Sequence, residues 1–214
     1  MTELAQYRPH DLLWLRDASA LHSPEPLPGW VASQWQPALP VVVRRAAASA
    51  DRVAVGIRGA SREQRHALWA SRQQVVQQLA PEALPARLAN TPRRHALPAL
   101  LALAALQAIL DETTCGWGVC GSAGYELATG LPVLRAGSDL DLLIRCAHPP
   151  SQAMLRYWLT LLLRQPCHID VQLETPAGAI ALVEWARRPA RVMVKTPTGP
   201  LLLANPWQPD GSPA

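Results

Sequence analysis

The sequence predicts a mixed α/β (α+β) fold, with a small β-rich lobe over residues 1–85 followed by a larger domain with a mixed sheet over 86–214. Three observations predict it. Up to about residue 80, short strand-like runs are broken by turn residues. From about residue 93 onward helical and strand signals alternate, which argues for a central sheet carrying helices. Between them the proline-punctuated run PEALPARLANTPRRHALP (81–98) reads as a boundary.

In the first lobe the β-like runs are LLWL (12–15), the proline-rich SPEPLPGW (23–30), PVVVRR (40–45) and VAVGIRG (53–59). Ser71 is the expected N-cap of a helix over RQQVVQQLA (72–80), which Pro81 ends. The second domain opens with a Leu/Ala helix over 98–111, then a strand WGVCG (117–121), a helix from Ser122 and an aspartate-bearing strand (139–145). A helix over SQAMLRYWLTLLLR (151–164), a strand HIDVQL (168–173), a helix over AGAIALVEWARR (177–188) and a hairpin RVMVKTPTGPLLLA (191–204) follow, with a loose tail from 205.

At 214 residues, 49% hydrophobic and 17% charged, the chain is long and apolar enough to bury a sizeable core. Proline is frequent at 21 residues, phenylalanine is absent, and eight tryptophans supply most of the aromatic bulk, which reads as compositional bias. The formal net charge of +4 suits anionic substrates or an acidic partner. With Lys195 the only lysine and no dense basic run, a nucleic-acid partner is not expected. Cys115, Cys120, Cys146 and Cys167 form no CxxC pair, so reduced, buried thiols are expected rather than structural zinc. The longest apolar stretch, HALPALLALAALQAIL (95–110), is too short for a membrane span, and the amino terminus lacks a signal-peptide pattern. A soluble, cytoplasmic protein with no membrane partner is the expectation.

The chemistry concentrates in GSDLDLLIR (137–145). On a strand, residues i and i+2 share a face, so Asp139 and Asp141 can offer two carboxylates to one place. Such a pair suits Mg²⁺, with Mn²⁺ as a substitute, because these ions keep waters and take substrate phosphates as further ligands. A DxD motif also occurs in solvated turns; here the apolar LLI that follows argues for a buried strand. Asp170, in HIDVQL, is the candidate third carboxylate, sharing a face with His168 and Gln172. His168 reads more readily as a satisfied histidine than as a base. Upstream, Gly121 and Ser122 of GSAGYE (121–126) close a strand and open a helix, where backbone N–H groups and a hydroxyl can face an anion. A serine N-cap alone is commonplace; its order before the DxD motif gives it weight.

GS, then DLD on a strand, then a lone strand aspartate resembles the nucleotidyltransferase superfamily of polymerase-beta-like fold. More narrowly, the chain resembles the phosphoribosyl-dephospho-CoA transferase family of bacterial malonate decarboxylase, also called its holo-acyl-carrier-protein synthase. The matching stretches are RPHDLLWL (8–15), PVVVRR (40–45), VGIRG with REQR (55–59 and 62–65), GSAGYELATGLPVLRAGSDLDLL (121–143) and HIDVQLETPAGAIALVEW (168–185). One departure from the wider superfamily is the longer connection, 16 residues, between Ser122 and Asp139.

The resemblance implies transfer of 2′-(5″-phosphoribosyl)-3′-dephospho-CoA from its triphosphate precursor to a serine of the acyl carrier subunit, with release of pyrophosphate. In that picture Asp139, Asp141 and Asp170 are catalytic: Asp139 and Asp141 hold Mg²⁺, Asp170 assists metal binding or deprotonates the attacking serine, and Gly121 and Ser122 grip the outer phosphates. Arg44, Arg45, Arg58, Arg62 and Arg65 form a group of guanidinium forks suited to phosphate or an acidic carrier surface, with Arg58 and Arg62 the candidate substrate-binding pair. Arg8, His10 and Asp11 match the family's opening motif, and composition assigns them no role beyond anchoring the amino terminus. The competing readings are an ATP-using nucleotidyltransferase acting on a small molecule or a protein, and a non-catalytic scaffold that binds the carrier.

Overall fold

Period-two burial of valines and leucines builds the first sheet. The computed structural model describes residues 7–47, 49–61 and 63–208, and the chain divides into two units, residues 1–80 and 81–214. In the first unit the elements run β1 (Leu12–Leu15), β2 (Leu21–His22), α1 (Gly29–Gln34), β3 (Val41–Val43), β4 (Arg52–Arg58), β5 (Arg65–Ser71) and β6 (Val75–Leu79). They form one sheet in the order β2-β5-β4-β3-β1-β6, with antiparallel pairings. Leu13, Leu15, Val41, Val43, Val55, Ile57 and Leu68 pack together with Val31 and Trp35 from the region of α1. Each fully buried aliphatic side chain contributes about 1.5–3 kcal/mol.

Two expectations for this unit change, and one strand was not anticipated. SPEPLPGW is not a strand: its prolines cannot donate to a ladder, and its last two residues open α1. The RHALWAS segment is a full strand, β5, paired with β4 from Arg52↔Ser71 to Arg58↔Arg65. RQQVVQQLA is not a helix. Arg72–Gln74 makes one 3-10 turn and Val75–Leu79 extends as β6 against β1, satisfying an edge that would otherwise carry unpaired N–H and C=O groups.

The opening motif acquires a structural role from Asp11, whose residue is fully buried. Its Oδ2 accepts the Arg8 N–H at 2.9 Å and the Gln78 side-chain N–H at 2.6 Å. His10, at φ 75° in the left-handed region, turns the chain so that its own N–H reaches the Val43 carbonyl at 2.9 Å. The carboxylate thus ties the start of β1 to β6.

The second unit contains α2 (Pro98–Asp111), β7 (Gly116–Val119), α3 (Gly121–Thr129), β8 (Leu140–Arg145), α4 (Gln152–Leu162), β9 (Ile169–Thr175), β10 (Gly178–Ala181), α5 (Leu182–Ala186), β11 (Val192–Thr196) and β12 (Gly199–Leu203). Its sheet runs β12-β11-β10-β9-β8-β7, with β8 and β9 parallel and the other neighbours antiparallel. This is the mixed α/β architecture the alternating signals predict. Leu142, Ile144 and Val171 face Leu106 and Leu110 of α2 and Trp158 and Leu161 of α4, so one side of the sheet is closed by apolar packing. Among the described residues no helix is long and apolar enough to cross a membrane.

The expected helix over 177–188 is instead a strand followed by a short helix. Gly178, at φ 142°, makes a tight turn out of β9, and Ala179–Ala181 then pair back along it before α5 begins. The tail is docked as far as it is described: the Trp207 indole N–H donates to the Cys146 carbonyl at 2.8 Å and its ring lies 5.1 Å from that of Trp185. Residues 209–214 lie outside the described residues.

Replacing Asp11 with alanine strands two donors that the carboxylate now satisfies. We expect Asp11→Ala to destabilise by about 3 kcal/mol and Asp11→Asn by about 1 kcal/mol, read from urea unfolding followed by tryptophan fluorescence. A loss under about 0.5 kcal/mol for the alanine variant would remove Asp11 from the framework.

Candidate active site

The parallel pairing of β8 with β9 sets the geometry of the site. Their register matches Leu140 with Ile169, Asp141 with Asp170, Leu143 with Gln172 and Arg145 with Glu174. Register partners share a sheet face, so the carboxylates of Asp141 and Asp170 start from backbones about 4.8 Å apart and on the same side. That side also carries Arg145, Gln172 and Glu174. Arg145 is ion-paired with Glu82 of the 3-10 turn Pro81–Ala83, and the Gln172 amide donates to Glu174 at 2.8 Å.

Asp139 sits immediately before β8, half-buried, at the open end of the strand pair. The Leu140 N–H donates to the His168 carbonyl at 3.0 Å, which holds the two strand starts level. Burial pushes the neighbouring Cys167 thiol up and the charge of Asp139 adds to the shift, while the Leu140 amide opposes it. His168 Nε2 stands 3.2 Å from Asp170 Oδ1, with both side chains 64% exposed. Solvent therefore reaches Asp170 freely. The histidine contact, with its open surroundings, is a weak surface interaction.

Over Asp141 lies the start of α3. The Cys120 N–H donates to the Asp141 carbonyl at 2.9 Å, and the chain then turns through Gly121 at φ 58°. A Cβ built on Gly121 would land on the Asp141 carboxylate. Glycine is required there twice over, by a left-handed backbone and by contact with the acidic group. Ser122 is the second residue of α3. The positive end of the helix therefore lies against Asp141, where it favours negative charge. Cys120 underlies the same spot. Burial, then the charges of Asp141 and Glu174, push its thiol well up, so at neutral pH it is a protonated packing group and not a nucleophile.

The structure thus brings Asp139, Asp141, Asp170, Gly121 and Ser122 into one region of the second unit. Arg58 closes β4 opposite Arg65, in the first unit. Arg62 lies outside the described residues. Among the described residues no three His, Cys, Asp or Glu side chains close into a ready-made metal cage. Two adjacent carboxylates with open coordination positions are nevertheless the donor set Mg²⁺ takes when waters and phosphate oxygens supply the rest, so the residues fit that ion.

One residue of the site region escaped the sequence reading. Glu126, inside GSAGYE, is 3% exposed and bonds to the connection between α3 and β8. Its signal was a carboxylate on the buried side of a helix beside Ala123 and Leu127, where an acidic group is retained only with partners.

Comparison with known proteins agrees along almost the whole chain. The model of the phosphoribosyl-dephospho-CoA transferase MdcG C-terminal domain matches residues 78–206, and that of the MdcG N-terminal domain matches residues 8–81. A phosphoribosyl-dephospho-CoA transferase of Klebsiella pneumoniae is 48% identical over 203 residues, covering 94% of this chain and 96% of that protein. The protein of the same name from Pseudomonas aeruginosa is 47% identical over 213 residues, 97% of each chain. That of Azotobacter vinelandii is 43% identical over 205 residues, 94% of each. No solved structure matches significantly.

Gly121→Ala tests the contact over Asp141. We expect transferase turnover to fall about 100-fold, because a displaced carboxylate loses its aim, and stability to drop by about 1–3 kcal/mol from the strained backbone. Turnover within about threefold of the parent would show that Asp141 tolerates displacement, contrary to its assigned place.

Proposed function

The chain belongs to the phosphoribosyl-dephospho-CoA transferase family, and we propose that it attaches 2′-(5″-phosphoribosyl)-3′-dephospho-CoA to a serine of the apo acyl carrier subunit of malonate decarboxylase. The donor is the triphosphate precursor of that group. The serine oxygen bonds to the phosphorus nearest the ribose, the bond from that phosphorus to the outer two phosphates breaks, and pyrophosphate leaves while the hydroxyl proton passes to a base. The product is a phosphodiester.

The observation that carries this reading is the pairing of Asp141 with Asp170 beneath the start of α3, in a chain 43–48% identical to transferases of that name. Reactions of this kind ask mainly for positioning and neutralisation of charge. Asp141 and Asp170, with Asp139 beside them, would hold Mg²⁺ or Mn²⁺, which supplies the neutralisation that a triphosphate and a developing pyrophosphate need. Backbone N–H groups at Gly121 and the Ser122 hydroxyl bind the outer phosphates. Asp170, open to solvent and to an incoming protein, accepts the serine proton. Arg58 and Arg62 of the first unit serve the nucleotide or the carrier's acidic surface. A cytoplasmic setting completes the reading, in keeping with four cysteines that are all free.

The defining experiment incubates this protein with the apo carrier subunit, Mg²⁺ and the triphosphate precursor, and follows the carrier by intact mass spectrometry. We expect a mass gain equal to the phosphodiester-linked group, with one pyrophosphate released per carrier. An unmodified carrier, alongside nucleotide transfer to some other acceptor, would contradict the proposed target. Asp141→Asn and Asp170→Asn should each lower the rate by at least about 100-fold with the fold intact; a fully active variant of either would remove that residue from the chemistry. Removal of divalent ions with EDTA should abolish transfer, and Mg²⁺ or Mn²⁺ should restore it. Undiminished transfer in EDTA would exclude the metal role.

A further inference from the structure

Between Gly130, which ends α3 in a left-handed conformation at φ 74°, and Leu140, which begins β8, the chain has no regular secondary structure. This segment delivers Asp139, yet it has no ladder of backbone hydrogen bonds to fix it. Its midpoint is held by side chains instead. The Leu134 N–H donates to Glu126 Oε2 at 2.8 Å, and the Leu134 carbonyl accepts from Arg93 Nη2 at 2.9 Å. Arg93 Nη1 closes the triangle at 3.4 Å from the same Glu126 oxygen. Leu134 is 2% exposed, so both of its backbone polar groups are met in a buried setting where loss of either partner is costly. From there a second tie reaches the aspartate: the Arg135 N–H donates to Ser138 Oγ at 3.0 Å, and the Ser138 N–H donates back to the Arg135 carbonyl at 3.0 Å.

A buried carboxylate is an expensive way to anchor a loop, since its desolvation must be offset by partners of good geometry. A polar residue on the surface would have closed the connection without that cost. What the arrangement provides is a fixed relation between one helix and both aspartates of the DxD motif. The start of α3 rests on Asp141 through Gly121, and Glu126, further along the same helix, grips the chain that leads into Asp139.

We propose that Glu126, with Arg93, is a positioning residue for the transferase reaction: it holds the 131–138 connection so that Asp139, just before β8, is fixed beside the Asp141–Asp170 pair. This rests on the reading of Asp139 as part of the metal and phosphate site. Partners that orient ligating carboxylates are worth about 10–100-fold in metal affinity or activity when removed.

The test uses Glu126→Ala and Glu126→Gln in the full chain, with Arg93→Met as a further variant should the alanine protein fail to fold. Glutamine keeps an acceptor for the Leu134 N–H and should restore most of what alanine loses. We expect Glu126→Ala to raise the Mn²⁺ concentration for half-saturation about tenfold, read by electron paramagnetic resonance with nucleotide present, and to lower kcat about 10–100-fold. The KM for the triphosphate should stay within about threefold. Backbone amides over 131–138 should exchange faster while those of β8 and β9 do not. On an Asp139→Asn background, Glu126→Ala should add nothing further. Faster exchange over 131–138 with unchanged Mn²⁺ binding and kcat would reduce Glu126 to a structural tie and overturn the proposal, as would an undiminished effect on the Asp139→Asn background. Full activity of Asp139→Asn alone would instead refute the metal reading on which the proposal stands.

Discussion

Parallel hydrogen bonding between β8 and β9 is the constraint on which the candidate site depends. A one-residue slip in that register would set Asp141 against Ile169 or Val171 and turn one carboxylate toward the apolar side of the sheet. Packing forbids the slip. Leu142, Ile144 and Val171 are locked against α2 and α4, so the strands hold their phase through hydrophobic burial on the face away from the chemistry. The stability of the site is therefore supplied by residues that never touch a substrate.

Placing acidic groups side by side has a cost, because like charges repel. The surroundings offset it in two ways. Asp170 opens to solvent, which screens its charge, and Asp141 lies beneath the positive end of α3. The close approach of helix and carboxylate is possible only because residue 121 has no side chain. The same openness to solvent is what the proposed cation role of the two carboxylates requires. On the same face Arg145 is ion-paired with Glu82 and the Gln172 amide donates to Glu174.

Much of this was legible in the residues. The Leu/Ala helix α2, the aspartate strand, α4 with its Ser151 cap and the final hairpin carry strong local periodicity or turn chemistry, and all form where that periodicity puts them. The misreadings share a cause. RQQVVQQLA carries polar residues on both faces, a pattern an edge strand can bear as well as a helix, and only the need of β1 for a partner decides between them. AGAIALVEWARR looks helical because alanine and leucine favour helices, while Gly178 and the pairing of β10 with β9 override that preference. Glu126 was hidden because its partners, Arg93 and Leu134, come from segments with no periodic signal. The resemblance of the whole chain to one transferase family was readable from its motifs, and the comparisons establish that family. The adjacency of Asp170 to Asp141 needed the register.

Anomalous diffraction from crystals grown with Mn²⁺ and the triphosphate donor tests the central claim most directly. The account predicts a manganese peak within about 2.5 Å of carboxylate oxygens of Asp141 and Asp170, with donor phosphate oxygens completing its shell beside Gly121 and Ser122. A bound donor whose phosphates lie away from α3, or a manganese peak held by other residues, would contradict it.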